Sequence, residues 1–549
     1  MPALAFVLAQ PSLSIAQTEP PHVPEETQQD PVPRVNRDTQ GAPARDPAPP
    51  TAASEAAEAA ASADAPPSAP ASPDPRRVAA PPTDAQPASG RAGGGASEAG
   101  AAPAPTLPIG ISREEAPASV RSADGAVTIQ AGVRLDLDGY AYRRVDPRAP
   151  AGTFELRRAR LEATGWLGSR TYFSLAVESS TPPNLATSAG SGLPRPRNID
   201  AGDEFVAIAP WNDLAVLQVG QFDAPFTLEN RTFDGDLHFM ERALAVRALG
   251  IPENKEVGAM VHGHDDERHF LYSYGVFNGD GRVDLHLDSM GRAWIAPFSF
   301  AGPGPWHDVA VGGSFWLGDR VNGPALPAQT TQGGFELLGF EPYLATIAGG
   351  AVTPVQLRQV GLLRAVAGEL NAPIGYGAAH RFGVRAELVW KHSPLSEESL
   401  ADPRAPVILG GANLTGWSTY GELWFWAMGD DRAGGDPQGL EPFKHHGESR
   451  EAAGGPPPLE DALMLALRVE RLDEDLTHEA DAAALDLPNP EIGSTVVTSV
   501  HLGITYCHAR RLRASLNVGV NHLSGTNPRL ASLADSNLAE LALRLGVVL

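Results

Sequence analysis

From Val127 onward the chain alternates apolar and polar residues with a period of two. Val127, Ile129, Ala131, Val133, Leu135 and Leu137 share one side; Thr128, Gln130, Arg134, Asp136 and Asp138 share the other. In an extended chain successive side chains point to opposite faces, so the pattern predicts a strand with one apolar and one charged face. The pattern recurs. Phe382, Val384, Ala386, Leu388 and Trp390 oppose Arg381, Arg385, Glu387 and Lys391. Leu463, Leu465, Leu467 and Val469 oppose Met464, Ala466 and Arg468, and Val518 and Val520 oppose Asn517 and Asn521. Near the end Leu541, Leu543 and Leu545 oppose Glu540 and Arg544.

These strands run roughly 9–12 residues, enough to cross a bilayer at a tilt and longer than the usual strands of soluble sheets. Short connections at 168–170 and 508–510 contrast with Gly- and Pro-rich ones at 179–202, 318–332, 392–415 and 428–460. Short turns on one rim and long loops on the other are the layout of outer-membrane barrels. Tyr140, Tyr142, Trp166, Tyr172, Trp211, Trp306, Trp316, Trp390, Trp417, Tyr420, Trp424 and Trp426 lie near strand ends. Rings there suit a girdle at the headgroups. The expected fold is all-β, a closed antiparallel transmembrane β-barrel over residues 123–549, with about 14 to 16 candidate strands.

Residues 17–122 are different in texture, built of Pro, Ala, Ser and Gly with 7 arginines against 14 acids within 1–120. Such a segment has too little apolar surface to offset the entropy of ordering, so a disordered Pro/Ala-rich tether is expected. Residues 1–16 carry a short apolar core and the small residues Ser14 and Ala16, but no basic start. They are read as an incomplete signal peptide.

Composition narrows the classes. No apolar run of about 18 residues occurs, so no transmembrane helix is expected. A mean hydropathy of −0.18 fits strands that alternate apolar-out with polar-in. Lys+Arg is 42 and Asp+Glu 66, a net charge of −24 that excludes a binder of nucleic acid. The few lysines, Lys255, Lys391 and Lys444, are put down to codon usage. The single Cys507 allows no disulfide framework. His262 and His264 share a strand face without a fixed third ligand, so 262–269 reads as a solvated turn rather than a metal site. Residues 278–281 read as a turn that lacks the spaced acids of a calcium loop. No nucleophile–base order, phosphate-binding glycine loop or zinc helix is present, so neither a catalytic residue nor a cofactor is expected.

Three stretches carry a family resemblance. Residues 154–177 read FELRRARLEATGWLGSRTYFSLAV, 219–243 read VGQFDAPFTLENRTFDGDLHFMERA, and 272–281 read YSYGVFNGDG. Their order and spacing resemble the phosphate-selective porin O/P family. The resemblance implies a 16-stranded barrel in the bacterial cell outer membrane, a homotrimer, and a third extracellular loop folded inward over 229–250. Members resemble one another in a loop lysine before Phe-Met-Glu-Arg; here Asp234-Gly235-Asp236 occupies that place. The departure points to general diffusion, or another solute, ahead of phosphate.

In such a channel the lumenal side chains set selectivity. Arg134, Arg158 and Arg160 fall on lumen-facing parity, as does Arg385. The inferred loop adds Arg231, Asp234, Asp236, Glu241, Arg242 and Arg247. Arginine forks match oxyanions, so these residues are expected to line the constriction and favour anions. The plentiful acids around them, Asp136, Asp138, Glu162 and Glu178 among them, offer the other role: ion pairs that hold the loop. The expectation is a passive porin set in outer-membrane lipid, passing small anions or other hydrophilic solutes. Alternatives are a closed barrel serving as surface scaffold or adhesin, and a secreted soluble β-sandwich binding protein.

Overall fold

The computed structural model describes residues 119–143, 152–180, 198–251, 254–265, 269–279, 286–321, 323, 326, 329–332, 336–338, 343–346, 352–376, 379–401, 407–429, 461–478, 492–508, 511–527 and 536–548. The expected signal peptide and nearly all of the tether lie outside these residues.

Sixteen strands form the wall. The first eight are β1 (Val127–Tyr142), β2 (Gly152–Leu167), β3 (Thr171–Ser180), β4 (Asn198–Ile208), β5 (Val216–Asp223), β6 (Lys255–His264), β7 (Phe270–Phe277) and β8 (Asp288–Ile295). The second eight are β9 (Ala310–Arg320), β10 (Gly361–Tyr376), β11 (Ala379–Ser399), β12 (Val407–Met428), β13 (Asp461–His478), β14 (Gly493–His508), β15 (Leu512–Gly525) and β16 (Ser536–Val548). Each pairs antiparallel with its chain neighbour. The ring closes where Arg134 and Tyr142 of β1 meet Val548 and Glu540 of β16. One sheet closed on itself is not a sandwich, which sets aside the soluble alternative.

The alternation decides the faces. Leu388, Leu465, Leu502 and Leu543 are exposed on the outside, while Arg385, Glu387, Arg468 and Arg544 are buried inside. Outward apolar side chains in lipid and inward polar ones are what a barrel in the outer membrane requires.

Four expectations change. Trp424, Trp426, Tyr420, Trp316, Trp166, Tyr172 and Tyr140 are buried inside, whereas Trp211, Trp306, Trp390 and Trp417 face out. Closeness to a strand end does not set the face; parity does, and Trp424 and Trp426 share that of Glu422. Most of 392–415 is strand, not loop. Pro394 sits in β11 where β10 is interrupted by Gly361, whose φ of +64° breaks the ladder beside the ring that cannot donate. Residues 355–359 then pair with Leu395–Ser399 of β11. The long connection at 428–460 joins the rim that carries the short turns, because it follows β12 as 168–170 follows β2. Finally, Ser119–Arg121 forms a strand paired with Thr128, Ile129 and Gln130 of β1, so the sheet includes residues before 123.

Residues 224–251 turn into the barrel and carry two short helices, α1 (Leu228–Arg231) and α2 (Leu244–Leu249). Phe226, Leu244, Leu249 and Ile251 pack against Phe222, Met260, Phe277, Met290 and Trp316 of the wall. The main apolar core therefore lies within the barrel, under the loop.

Candidate functional site

The loop rests on two polar surfaces. On one side β1 presents Arg134, Asp136 and Asp138, and β2 presents Arg157, Arg158, Arg160 and Glu162. A bulge makes this possible: Asp136 pairs with Arg158 and Leu137 with Leu156, leaving Arg157 as the extra residue. A bulge of this kind re-aims side chains, and both Arg157 and Arg158 reach the interior. Arg158 meets Glu178 and Asp234, each at 2.7 Å. Arg160 meets Asp203 at 2.6 Å and Glu162 at 3.0 Å. Arg134 meets Asp136 at 2.8 Å and lies 5.1 Å from the centre of the Phe233 ring. Lys255 bridges Asp203 and Asp223 at 2.5 and 2.8 Å. Arg242 pairs with Asp234 and donates to the carbonyls of Glu229 and Thr232. Glu241 gathers Arg157 at 3.3 Å and Arg544 at 3.0 Å, and Arg544 also holds Asp138 at 2.7 Å. Arg513 donates to the carbonyls of Gly235 and Leu237.

On the other side, carboxylates of the wall meet backbone N–H groups of the loop. Glu387 on β11 accepts from Leu228 N, and from Tyr420 Oη at 3.0 Å. Glu470 on β13 accepts from Leu244 N at 3.1 Å. Those N–H groups open α1 and α2 and have no partner within the helices, so a carboxylate there is doubly favourable. Arg468 joins Glu422 at 2.6 Å to Glu229 of the loop, and its guanidinium faces the Phe239 ring at 4.4 Å. Burial pushes the His238 imidazole down to about 4, so the neutral ring donates from Nδ1 to Glu422.

The expected site residues thus separate. Arg134, Arg158, Arg160, Asp234, Glu241 and Arg242 come together on the first surface. Arg231 turns away and donates to the Asp223 carbonyl. Asp236 lies on the loop, its N–H bonded to Phe233 O at 2.9 Å. Arg247, on α2, donates to the carbonyls of Thr330 and Thr331, tying in a second buried segment, 329–332. Arg385 is buried in the opposite wall. Arg468, Arg513 and Arg544 carry the signal of lumen-facing parity but fall outside the expected set, and Arg157 carries none, because a bulge breaks the period.

A closed antiparallel barrel with an outward apolar face, a charged interior and an inward loop is an outer-membrane porin, a channel for passive diffusion of hydrophilic solutes and not an enzyme. Residues 127–309 match the family described as phosphate-selective porin O and P. No curated protein matches the chain significantly. Similar solved structures include OmpT, an outer membrane protein of Vibrio cholerae, at 10% identity and TM-score 0.43, covering 78% of this chain and 99% of that one. The anion-selective porin from Comamonas acidovorans is similar at 9% identity and TM-score 0.37, covering 77% and 100%. The outer membrane channel DcaP of Acinetobacter baumannii is similar at 7% identity and TM-score 0.42, covering 79% and 100%.

Proposed function

We propose that this porin is a general-diffusion channel whose lumenal arginines serve chiefly to hold the inward loop. Solutes pass beside the 233–236 segment, where Arg158, Glu162, Glu178, Asp203, Asp234 and Lys255 keep partial exposure. The observation that carries this reading is the pairing of Arg134, Arg158, Arg160 and Arg242 with carboxylates. A fork already engaged by acids has little left to grip phosphate, and the mixed signs nearly cancel for a passing ion. The anion preference expected from the arginines alone is therefore weak. Recording refolded protein in planar bilayers should give discrete conductance steps, with a chloride-to-potassium permeability ratio within about threefold of unity. Absence of steps overturns the channel reading; current selective for phosphate overturns general diffusion. We also infer a homotrimer, as the family resemblance implies; a native gel of the detergent-extracted protein running at the monomer mass would refute it.

A further inference from the structure

The apolar band on the outside of the barrel has two aromatic edges on β11 and β12. Phe382 pairs in register with Phe425 near the rim of the short turns, and Trp390 pairs with Trp417 further along. All four rings are exposed on the outer face. The pairs between them, Val384 with Leu423, Ala386 with Gly421 and Leu388 with Thr419, carry no charge. At about 3.4 Å per residue and a tilt near 45°, Phe382 to Trp390 spans about 20 Å of bilayer height, close to the apolar band of about 25 Å that such barrels present. The two tryptophans therefore stand at one edge of the hydrocarbon, toward the rim where the inward loop arises. The next outward residues stand among headgroups.

That edge is cationic. Beyond Trp390 and Trp417 come His392 and Thr415, and Arg364 of β10 is the register partner of His392. His392 Nδ1 lies 2.8 Å from Thr415 Oγ1, and its ring runs parallel to that of Trp390 with 6.5 Å between centres. These contacts fix the imidazole and leave Nε2 to meet a ligand. Arg364 is exposed and has no hydrogen-bond or ion-pair partner among the described residues. Arg471 of β13 lies over the Trp417 ring at 5.9 Å. Asp473 meets its Nη2 at 3.3 Å, but the two side chains are 46% and 31% exposed for Arg471 and Asp473, so water competes with the pair and it gives way readily. Asp475, in register with Thr415, is exposed as well. Contacts and register thus join Arg364, His392, Trp390, Trp417 and Arg471 into one outward patch across β10 to β13.

A cation on the lipid face is costly within the hydrocarbon and tolerated at its edge, where it meets anionic headgroups. A guanidinium fork fits phosphate oxygens two at a time, and indole rings pack against acyl chains at the level of the headgroups. We propose that this patch binds a phosphorylated glycolipid of the outer leaflet. Arg364 and Arg471 hold its phosphate groups with help from His392, and Trp390 and Trp417 seat its acyl chains. The occupant is a lipid rather than a second copy of the chain, because the patch continues the apolar band that the bilayer covers and adds cations suited to phosphate. The site lies outside the lumen and stands independently of the diffusion reading.

Native mass spectrometry of the detergent-extracted full chain tests the patch, with three probes: a diphosphorylated acyl-disaccharide, its monophosphorylated form and phosphatidylethanolamine. Wild type should retain the diphosphorylated lipid in preference to the other two. R364Q/R471Q should weaken that binding about thirtyfold and leave phosphatidylethanolamine unchanged. R364K/R471K, which keeps the charge and loses the fork, should fall between. Equal retention of the three lipids, or a preference that survives R364Q/R471Q, overturns the site. So does a double variant that dissociates into monomers with no change in lipid bound per chain, which would assign the patch to a contact between subunits. Should R364Q/R471Q fail to fold, the comparison of the three lipids on the unaltered protein decides alone. Bilayer conductance should be the same in R364Q/R471Q as in wild type, so the lipid site and the channel are read separately.

Discussion

The two surfaces that hold the inward loop are made of the same chemistry and differ in their access to water. Around β1 and β2 the ions are partly open: Asp234 keeps 19% of its side-chain surface and Arg158 11%. Around β12 and β13, Arg468, Glu422 and Glu229 keep 0%. An ion pair in contact with water is worth little to stability but is felt by a passing ion. A pair sealed from water acts on no solute, and breaking it strands a charge. The open surface is therefore where permeation is tuned, and the sealed one is where the loop is fixed.

Substitution should expose that division, most severely on the sealed side. Arg468→Met leaves Glu229 and Glu422 buried without their cation, at a cost of about 3–5 kcal/mol. The temperature at which the barrel loses its heat-modifiable gel migration should drop further than for any substitution on the open surface. A shift no larger than that of an exposed pair would contradict the sealed character of this side. Glu387→Gln comes next. It weakens the charge-assisted acceptor at the start of α1, a loss of about 1.5–3 kcal/mol. Bilayer traces should show a noisier channel as the loop loosens, with ion preference little changed.

On the open surface the order of effects reverses. Asp234→Asn removes one charge from the lumen and leaves Arg158 and Arg242 with a neutral neighbour. A unit charge about 7 Å from an ion in water-like surroundings is worth about 0.6 kcal/mol, or about threefold in permeability ratio. Reversal potentials in a salt gradient should move toward anions by that factor, while the gel-shift temperature stays close to wild type. A preserved ratio would mean that solutes do not pass this surface.

Much of the wall was legible in the sequence, because a period of two fixes the face of every residue once a strand is recognised. Lys391 and Arg385 were on the correct face from Phe382 and Trp390 alone. What the period cannot carry is any place where it slips. Arg157 enters the lumen through a bulge, and Pro394 stays in a strand because Gly361 interrupts the ladder opposite it. Nor does parity say which inward charges meet. Arg134, Arg158 and Arg160 looked like anion ligands as single residues, and some of their acids arrive from far along the chain, as with Arg158 in β2 and Asp234 in the loop. The family pattern marked the inward loop but not the carboxylates that receive it, since Glu387 and Glu470 lie beyond the 127–309 match.

The smallest effect belongs to Phe233, which sharpens the comparison because it holds no charge. Its ring lies 5.1 Å from the Arg134 guanidinium and 5.9 Å from that of Arg160. At a partly wet site each such contact contributes about 0.5–1 kcal/mol. Phe233→Ala should therefore lower the gel-shift temperature only slightly. The salt bridges of both arginines remain, so the permeability ratio should hold even as the lumen widens beside the loop tip. Conductance should rise with the bore and selectivity should not, a combination that separates shape from charge on the open surface. If the ratio moved as far as it does in Asp234→Asn, the aromatic ring rather than the carboxylates would be positioning the arginines, and the open surface would need the loop tip for its electrostatics as the sealed one needs Arg468.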